Sequence, residues 1–546
     1  MAEAVPAEDR WALLRGPVGV TVLFVVLTAV MTWPQALVLK THALDHQDVF
    51  FNLWRMRWVA HALVTSPGGL FNANIFHPEP GVLAYSDAML VEAVLAAPLL
   101  WAGLPPVLVH NILLLGAIVA SAAGMFVLAR HVTGSASGAV IAGVIFAFAP
   151  YRFEHYMHME LQWTVWSPWA FWALQRTLET GSYRFGALMG LFIALQMASS
   201  VYYGVFLLIL IAAVGLPQLV PLRRHDLARA ARALVLGGAI AASVSWAYSL
   251  PYSVASARVG TRSAEEVKRF SARPRDYLVP TPTNLLYGAP DTGAPERRLF
   301  PGILPPLLAV VGLLLIPPTT AAIAYLFGLV LAFELSLGAY GTLYPLLYEH
   351  VGVIRGLRAP ARASVFCLLF LGVLAAQAMA ALAGAVPKWV RRLLPALVCA
   401  IVLLEYSVGP LPLVPYHNEA PPLYELLARL PAGPVIEFPV PKPDSPPHHD
   451  ARFAYMSTFH WMPLLNGYSG FYPPSYYRRL IRLETFPDEA SVASLRREKV
   501  KYVIVHEDGY PVGARVRIVE RLLDLGVTRL ADFNDGWGIG TVMELK

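Results

Sequence analysis

The sequence is poor in charge and almost empty of cysteine. Asp, Glu, Lys and Arg make up 14% of its 546 residues, against about 25% in an ordinary soluble domain. With 56% hydrophobic residues and a mean hydropathy of +0.53, the chain has too little polar surface to cover itself in water. That excludes a soluble globular protein and points to one embedded in a membrane. The net charge of +6 is spread along the chain, so nothing signals nucleic acid. Only Cys367 and Cys399 are present, both in apolar runs, which excludes a disulfide framework and a thiolate metal centre. An internal repeat, a zinc-finger spacing and a Walker sequence are also missing, and no nucleotide cofactor is expected. Leu14 to Leu39 is too long for a signal core and lacks a small-residue cleavage site, so it is read as a retained helix.

What fills the chain instead is a series of apolar runs punctuated by basic turns. Arg10 and Arg15 before the first run set the N-terminus in the cytoplasm. Arg130, the pair Arg223 and Arg224, and the pair Arg391 and Arg392 then fall on the cytoplasmic side, if Val82 to Gly103, with Asp87 and Glu92, lies at the membrane surface rather than crossing it. The expected fold class is a polytopic α-helical membrane protein with about eleven crossings, extracytoplasmic surface helices and a small C-terminal α/β domain. Residues 1–410 form the membrane part, with outer loops at 40–106, 251–301 and 338–362, and residues 411–546 form the outer domain. In that domain Pro434 to Val440 and Lys501 to His506 are expected strands, and Leu423 to Leu430, Glu489 to Lys499 and Val516 to Leu525 expected helices, with a proline-rich turn at Pro441 to Pro447.

The chemistry concentrates in the first outer loop, Ala43 to Gly81. Asp45 and Asp48 stand just before a segment in which Phe50, Phe51, Trp54, Trp58 and Ala62 recur at helical spacing. That segment predicts an amphipathic helix in the interface plane, its tryptophans at headgroup depth. An outer carboxylate can take a proton from a nucleophile. Asp48 also suits a helix cap, whereas Asp45 lies further upstream, so Asp45 is expected to be the base ahead of Asp48. Glu92, Asp87 and Glu334 are acids in apolar surroundings, a costly placement often tied to function.

Two further clusters lie on the same expected side. In APYRFEHYMHMELQ, His155 and His158 would share a helical face; with Glu160 or Asp45 they supply N and O ligands for Mg or Mn, or a hydrogen-bonded interfacial cluster. Arg273, Arg275, Arg355 and Arg358, with Arg297, Arg298 and Arg362, run against the usual charge bias and suit a lipid-linked phosphate; ion pairs to Asp276, Glu296 or Glu349 explain them equally. The stripe Trp163, Trp166, Trp169 and Trp172 is explained by belt anchoring and packing.

The order of parts resembles the polyprenol-phosphate-sugar-dependent membrane glycosyltransferases of the C-type fold, in particular their bacterial members. One helix is followed by an outer loop with an early aspartate, surface helices, and the run LARHVTGSASGAVIAGVIFAFAPYR. The run NGYSGFYPPSYY, preceded by TFHW, resembles those proteins too, without an assigned role. The resemblance covers roughly residues 10–410. It implies an inverting transfer of sugar from a polyprenyl phosphate to an extracytoplasmic lipid, glycan or protein acceptor, a catalytic aspartate at Asp45 or Asp48, and often a divalent cation. It also implies contact with membrane lipids at the bacterial inner membrane. Substrate contacts fall to Arg273, Arg275, Arg355, Arg358 and Glu92. EHYMHME replaces the tidy acidic pair of some members. The rival readings are a transporter or flippase for a lipid-linked glycan, which favours internal repeats and broken helices, and a non-catalytic membrane assembly protein.

Overall fold

The computed structural model describes residues 16–288, 293–315, 319–444, 449–535 and 538–546. Arg10, Arg15, Pro446 and Pro447 lie outside them. The chain divides into two compact units that do not follow its linear order. One comprises Met1–Val38, Ile112–Tyr248 and Thr261–Pro412; the other comprises Leu39–Asn111, Ser249–Gly260 and Leu413–Lys546. The early loop thus belongs with the C-terminal segment.

The first unit is helical. Its centre is the helix run Pro360–Ala385, buried on all faces from Ser364 to Met379 as expected of an element apolar all round. Ala136–Phe148 and Leu304–Leu315 pack on it. In lipid no hydrophobic gain drives helices together, so close backbone approach has to supply the contact energy. Helix Tyr183–Ser199 places Gly186 and Gly190 against Ala233 and Gly237 of Arg224–Val259. A Cβ at Gly190 would collide with the Gly237 carbonyl oxygen, while Gly238, one residue on, faces open space.

The expectation of about eleven crossings is corrected. Among the described residues, five helices are long and apolar enough to cross a bilayer: Pro106–Thr133, Ala136–Glu154, Val201–Leu219, Arg224–Val259 and Pro360–Ala385. A crossing needs about 20 residues, and the other apolar runs are cut shorter. The first helix stops at Met31 after 15 residues, ahead of Pro34, which cannot continue it. Leu90–Trp101 has 12 residues, Leu304–Leu315 has 12 and Thr320–Ser336 has 17. Lys388–Glu405 carries Lys388, Arg391, Arg392 and Glu405 in 18 residues. Counting apolar runs overlooked these interruptions.

The second unit is built on two sheets. Strand β1 (His42–Leu44) pairs antiparallel with β2 (Leu413–Pro415), with Ala43 opposite Val414. A four-stranded sheet follows from β3 (Val435–Phe438), β4 (Tyr502–His506), β5 (Thr528–Asp535) and β6 (Gly538–Glu544), in the order β3-β4-β6-β5. β3 and β4 run parallel, and β4 with β6 and β6 with β5 antiparallel. Helices Glu489–Arg497 and Ala514–Asp524 bring Val492, Leu495, Val519 and Leu522 onto Ile436, Phe438, Val503 and Val505. Each such buried side chain contributes about 1.5–3 kcal/mol.

The aromatic segment of the early loop is the helix Gln47–Thr65, ended at Ser66 before Pro67. Its stripe does not face lipid. Phe50, Phe51 and Trp54 are buried, and helix Asp450–Ser457 packs against it. Trp54 Nε1 donates to Asn74 Oδ1 at 3.1 Å, and Trp58 Nε1 donates to the Leu70 carbonyl at 2.8 Å.

The helix contact gives the first prediction. Gly190→Leu forces the two backbones apart and lowers stability by about 1–3 kcal/mol, read as a lower melting temperature in detergent. Gly238→Ala leaves the melting temperature unchanged or raises it slightly, because Ala is the better helix former.

Candidate functional site

The acidic loop is positioned by backbone and side-chain contacts within its own unit. After β1, Tyr416 clasps the turn: its hydroxyl donates to the Leu44 carbonyl at 2.8 Å and accepts from the His46 amide at 3.5 Å. Asp45 projects between these two points. It is exposed and makes no hydrogen bond or ion pair among the described residues. The N-cap of Gln47–Thr65 is His46, whose Nδ1 accepts the Asp48 amide at 3.1 Å. Asp48 is therefore not the cap. It sits inside the first turn, where the helix dipole favours a carboxylate. Its Oδ1 accepts from the Tyr468 hydroxyl at 3.0 Å, and its Oδ2 lies 3.2 Å from His46 Nδ1.

Tyr468 belongs to the NGYSGFYPPSYY run, and that run is where sequence reasoning fell short. Asn466 accepts the Glu437 amide on Oδ1 at 2.8 Å and donates through Nδ2 to the Glu437 carbonyl at 2.9 Å and to Asp450 Oδ1 at 3.1 Å. The Tyr476 hydroxyl donates to Asp450 Oδ2. Glu437 itself accepts from Tyr424 and lies 2.7 Å from His506 Nε2. Burial pushes the Asp450 carboxyl up to about 7, although Tyr476 and Asn466 pull it down. An asparagine followed by a tyrosine-rich stretch was the available signal; only the tertiary fold shows what it holds. Glu92 is wholly buried in the first turn of Leu90–Trp101.

In the helical unit, the arginines divide into neutralised and free. Arg298 Nη1 lies 2.6 Å from Glu154, which also accepts from Thr281 Oγ1 at 2.5 Å. Arg362 Nη2 lies 2.6 Å from Glu296, and Arg297 Nε lies 2.9 Å from Asp276. Burial alone would raise the Glu296 carboxyl, but the Arg362 guanidinium outweighs it and holds Glu296 well below the usual carboxylate range. Removing one partner of such a buried pair costs about 3–5 kcal/mol. Arg355 donates to the carbonyls of Tyr348 and Glu349 at 3.0 and 2.6 Å, capping the helix Leu343–His350. Arg358 lies 5.3 Å from the Phe270 ring centre. Arg273 donates to the Tyr340 hydroxyl at 2.8 Å. Arg275 is exposed and has no partner among the described residues.

His155 and His158 do not share a helical face. The helix ends at Glu154, His155 caps it, and His158 begins the next turn, Met159–Gln162. His155 Nε2 lies 3.6 Å from Glu296, and His158 Nδ1 lies 3.9 Å from Glu160. Burial drives His155 down to about 3 against the pull of Glu296, so it is neutral near pH 7. Among the described residues no three His, Cys, Asp or Glu gather as a metal-binding group. The donor set does not fit a divalent ion there.

The Asp450 network predicts a pH effect. The unfolded carboxyl titrates near its ordinary value of about 4, and the folded one near 7. Between these values the native state keeps a proton that the unfolded chain releases, so this contribution is full below about pH 4 and is lost as pH rises through about 7. Melting temperature in nanodiscs should fall between pH 5 and pH 8. Asp450→Asn, neutral throughout, should flatten that fall, a difference on the order of a few kcal/mol.

No protein-family model matches the sequence, and comparison with curated proteins finds no match. Solved structures do match. The cryo-EM structure of the arabinofuranosyltransferase AftD from Mycobacteria aligns over 98% of this chain, with 14% identity and a TM-score of 0.64. The chain spans 40% of that protein's length. ArnT from Cupriavidus metallidurans, crystallised with undecaprenyl phosphate, aligns over 97% of this chain and 99% of its own, with 12% identity and a TM-score of 0.50. At such identities the likeness is one of fold: this chain folds as AftD does over that part of it and as ArnT does over nearly all of it.

Proposed function

We propose that this protein transfers a sugar from a polyprenyl-phosphate donor to an acceptor outside the cytoplasmic membrane, with Asp48 as general base. The observation that carries this reading is the placement of Asp48. It lies in a helix first turn, with one carboxylate oxygen fixed by the Tyr468 hydroxyl at 3.0 Å. A base held in a fixed orientation is what proton abstraction requires. With His46 as the cap, capping no longer accounts for Asp48. In the reaction, the acceptor hydroxyl oxygen attacks the anomeric carbon on the face opposite the phosphate. Its proton passes to Asp48, the carbon–oxygen bond to the phosphate breaks, and polyprenyl phosphate leaves with the electron pair. The anomeric configuration inverts.

Of the arginines expected to meet a phosphate, Arg273 and Arg275 keep side chains that are not consumed by carboxylates among the described residues. Arg355 and Arg358 serve the fold, on their carbonyl and ring contacts. The scheme assigns no step to a metal: His155 lies beside Glu296, and His158 lies beside Glu160.

The orientation follows from the second unit. The helix Pro106–Thr133 begins in that unit and ends at Arg130 and His131, and the helix Arg224–Val259 ends in it and begins beside Arg223 and Arg224. Basic ends lie inside, so the second unit, with the C-terminus, lies outside; Arg10 and Arg15 assign the N-terminus to the cytoplasm. A cysteine placed at position 224 should resist impermeant reagents in intact cells, and one at 419 should react. The reverse pattern overturns the orientation.

For the base, Asp48→Asn should lower the transfer rate by about 10²–10⁴-fold, the usual worth of positioned acid–base catalysis, with little change in melting temperature. Asp45→Asn should cost far less. Initial rates with labelled polyprenyl-phosphate sugars and a host glycan extract measure both. A full-rate Asp48→Asn protein rejects the assignment, and a loss confined to Asp45→Asn moves the base three residues upstream.

A further inference from the structure

The second unit contains a groove of about 470 Å³ that the scheme above does not use. That volume lies within the range of small-ligand sites. It runs beside the helices Gln47–Thr65 and Leu90–Trp101, and its chemistry rests on Arg57, His61, Trp101, Asn418, Glu419 and Trp461.

Its walls are aromatic and held in place. Trp101 is 54% exposed, yet its Nε1 donates to the Ala60 carbonyl at 3.1 Å, and no ring packs on it among the described residues. A large aromatic pinned by one edge leaves its face open. Trp461 stacks on His61 with ring centres 3.9 Å apart and planes 11° from parallel. Its backbone has φ of +58°, a left-handed conformation that a bulky L-residue rarely adopts. Such strain collects where a side chain is aimed for a purpose.

Its charges are unspent. The Arg57 guanidinium lies 4.3 Å from the Phe459 ring centre and donates to the Thr458 carbonyl at 3.1 Å, but meets no carboxylate among the described residues. Glu419 is exposed and meets no cation among them. Asn418 fixes the segment next to it, accepting the Val107 amide at 3.0 Å and donating to the Lys40 carbonyl at 2.8 Å. Burial, and then Arg57, holds His61 below its ordinary value, so His61 adds no charge near pH 7. Among the described residues the groove thus presents a cation without a carboxylate, an anion without a cation, and the open face of Trp101.

We infer that this groove binds a neutral sugar residue of a glycan, its C–H face on Trp101 or Trp461 and its hydroxyls shared between Arg57 and Glu419. A hydroxyl can accept from the guanidinium and another can donate to the carboxylate, so a neutral polyol satisfies both. A phosphate would be repelled by Glu419, and a cationic peptide by Arg57. An acyl chain would bury both charges without partners, which is costly. The site goes beyond the transfer scheme and requires none of its steps.

The test uses the full chain in lipid nanodiscs without donor. Titration calorimetry with short linear arabinan, mannan, galactan and glucan oligosaccharides should give saturable binding for at least one. Trp101→Ala and Glu419→Gln should each weaken it by about ten-fold or more, as for residues central to a site, with unchanged melting temperatures. An oligogalacturonate of the same length should bind more weakly. The inference is overturned if none of the neutral oligosaccharides binds saturably, if both variants bind as well as the parent, or if the anionic probe binds more tightly. Because no donor is present, the outcome is separate from whether sugar is transferred.

Discussion

The second unit depends on the way one asparagine satisfies its neighbours' backbones. Asn466 holds both the amide and the carbonyl of Glu437 in β3, and its own carbonyl accepts the Phe76 amide from the early loop at 2.9 Å. Two residues before it, the Leu464 amide donates to the Asn74 carbonyl and the Leu464 carbonyl accepts from the His77 amide. Buried amide groups must be paired, and here the pairing joins segments from opposite ends of the chain. Two residues beyond Asn466, Tyr468 reaches Asp48. The same network that closes the core therefore aims the acid.

The helical unit obeys a different constraint. Its helices gain nothing by hiding apolar side chains from lipid, so contact rests on small residues where backbones meet. Polar groups at its helix ends are matched in pairs: Glu154 with Arg298, Glu296 with Arg362, Asp276 with Arg297. Charge there is used to hold loops against helices. The arginines of those loops are consequently poor guides to a substrate unless they are seen to be unpaired.

What could be read from the sequence was whatever depends on neighbours along the chain. The aromatic periodicity located the Gln47–Thr65 helix, and the continuous apolar runs located β3 and β4. Overall hydropathy gave the membrane class, and the order of parts gave the fold. The number of crossings was not legible, because an apolar run does not announce where Pro34 or a short turn cuts it. The β5–β6 hairpin escaped because its strands mix charged and apolar residues. Asp48 looked like a cap because histidine is an uncommon one; the choice of His46 is decided by ring geometry. His155 and His158 were set on one helix that in fact stops at Glu154. The NGYSGFYPPSYY run stood out but had no role until the fold placed it.

The discontinuity of the second unit bears on how the protein is made. Asp48 and the tyrosine that orients it are 420 residues apart. When the early loop is synthesised, its sheet partner β2 and the strands β3 to β6 have yet to be made. Contacts at such separation form late and slowly. The oriented carboxylate can therefore exist only once synthesis has passed Tyr468. A product terminated before Tyr468 would carry the aspartate but not the group that orients it, so that translation through that residue is itself a condition of the orientation.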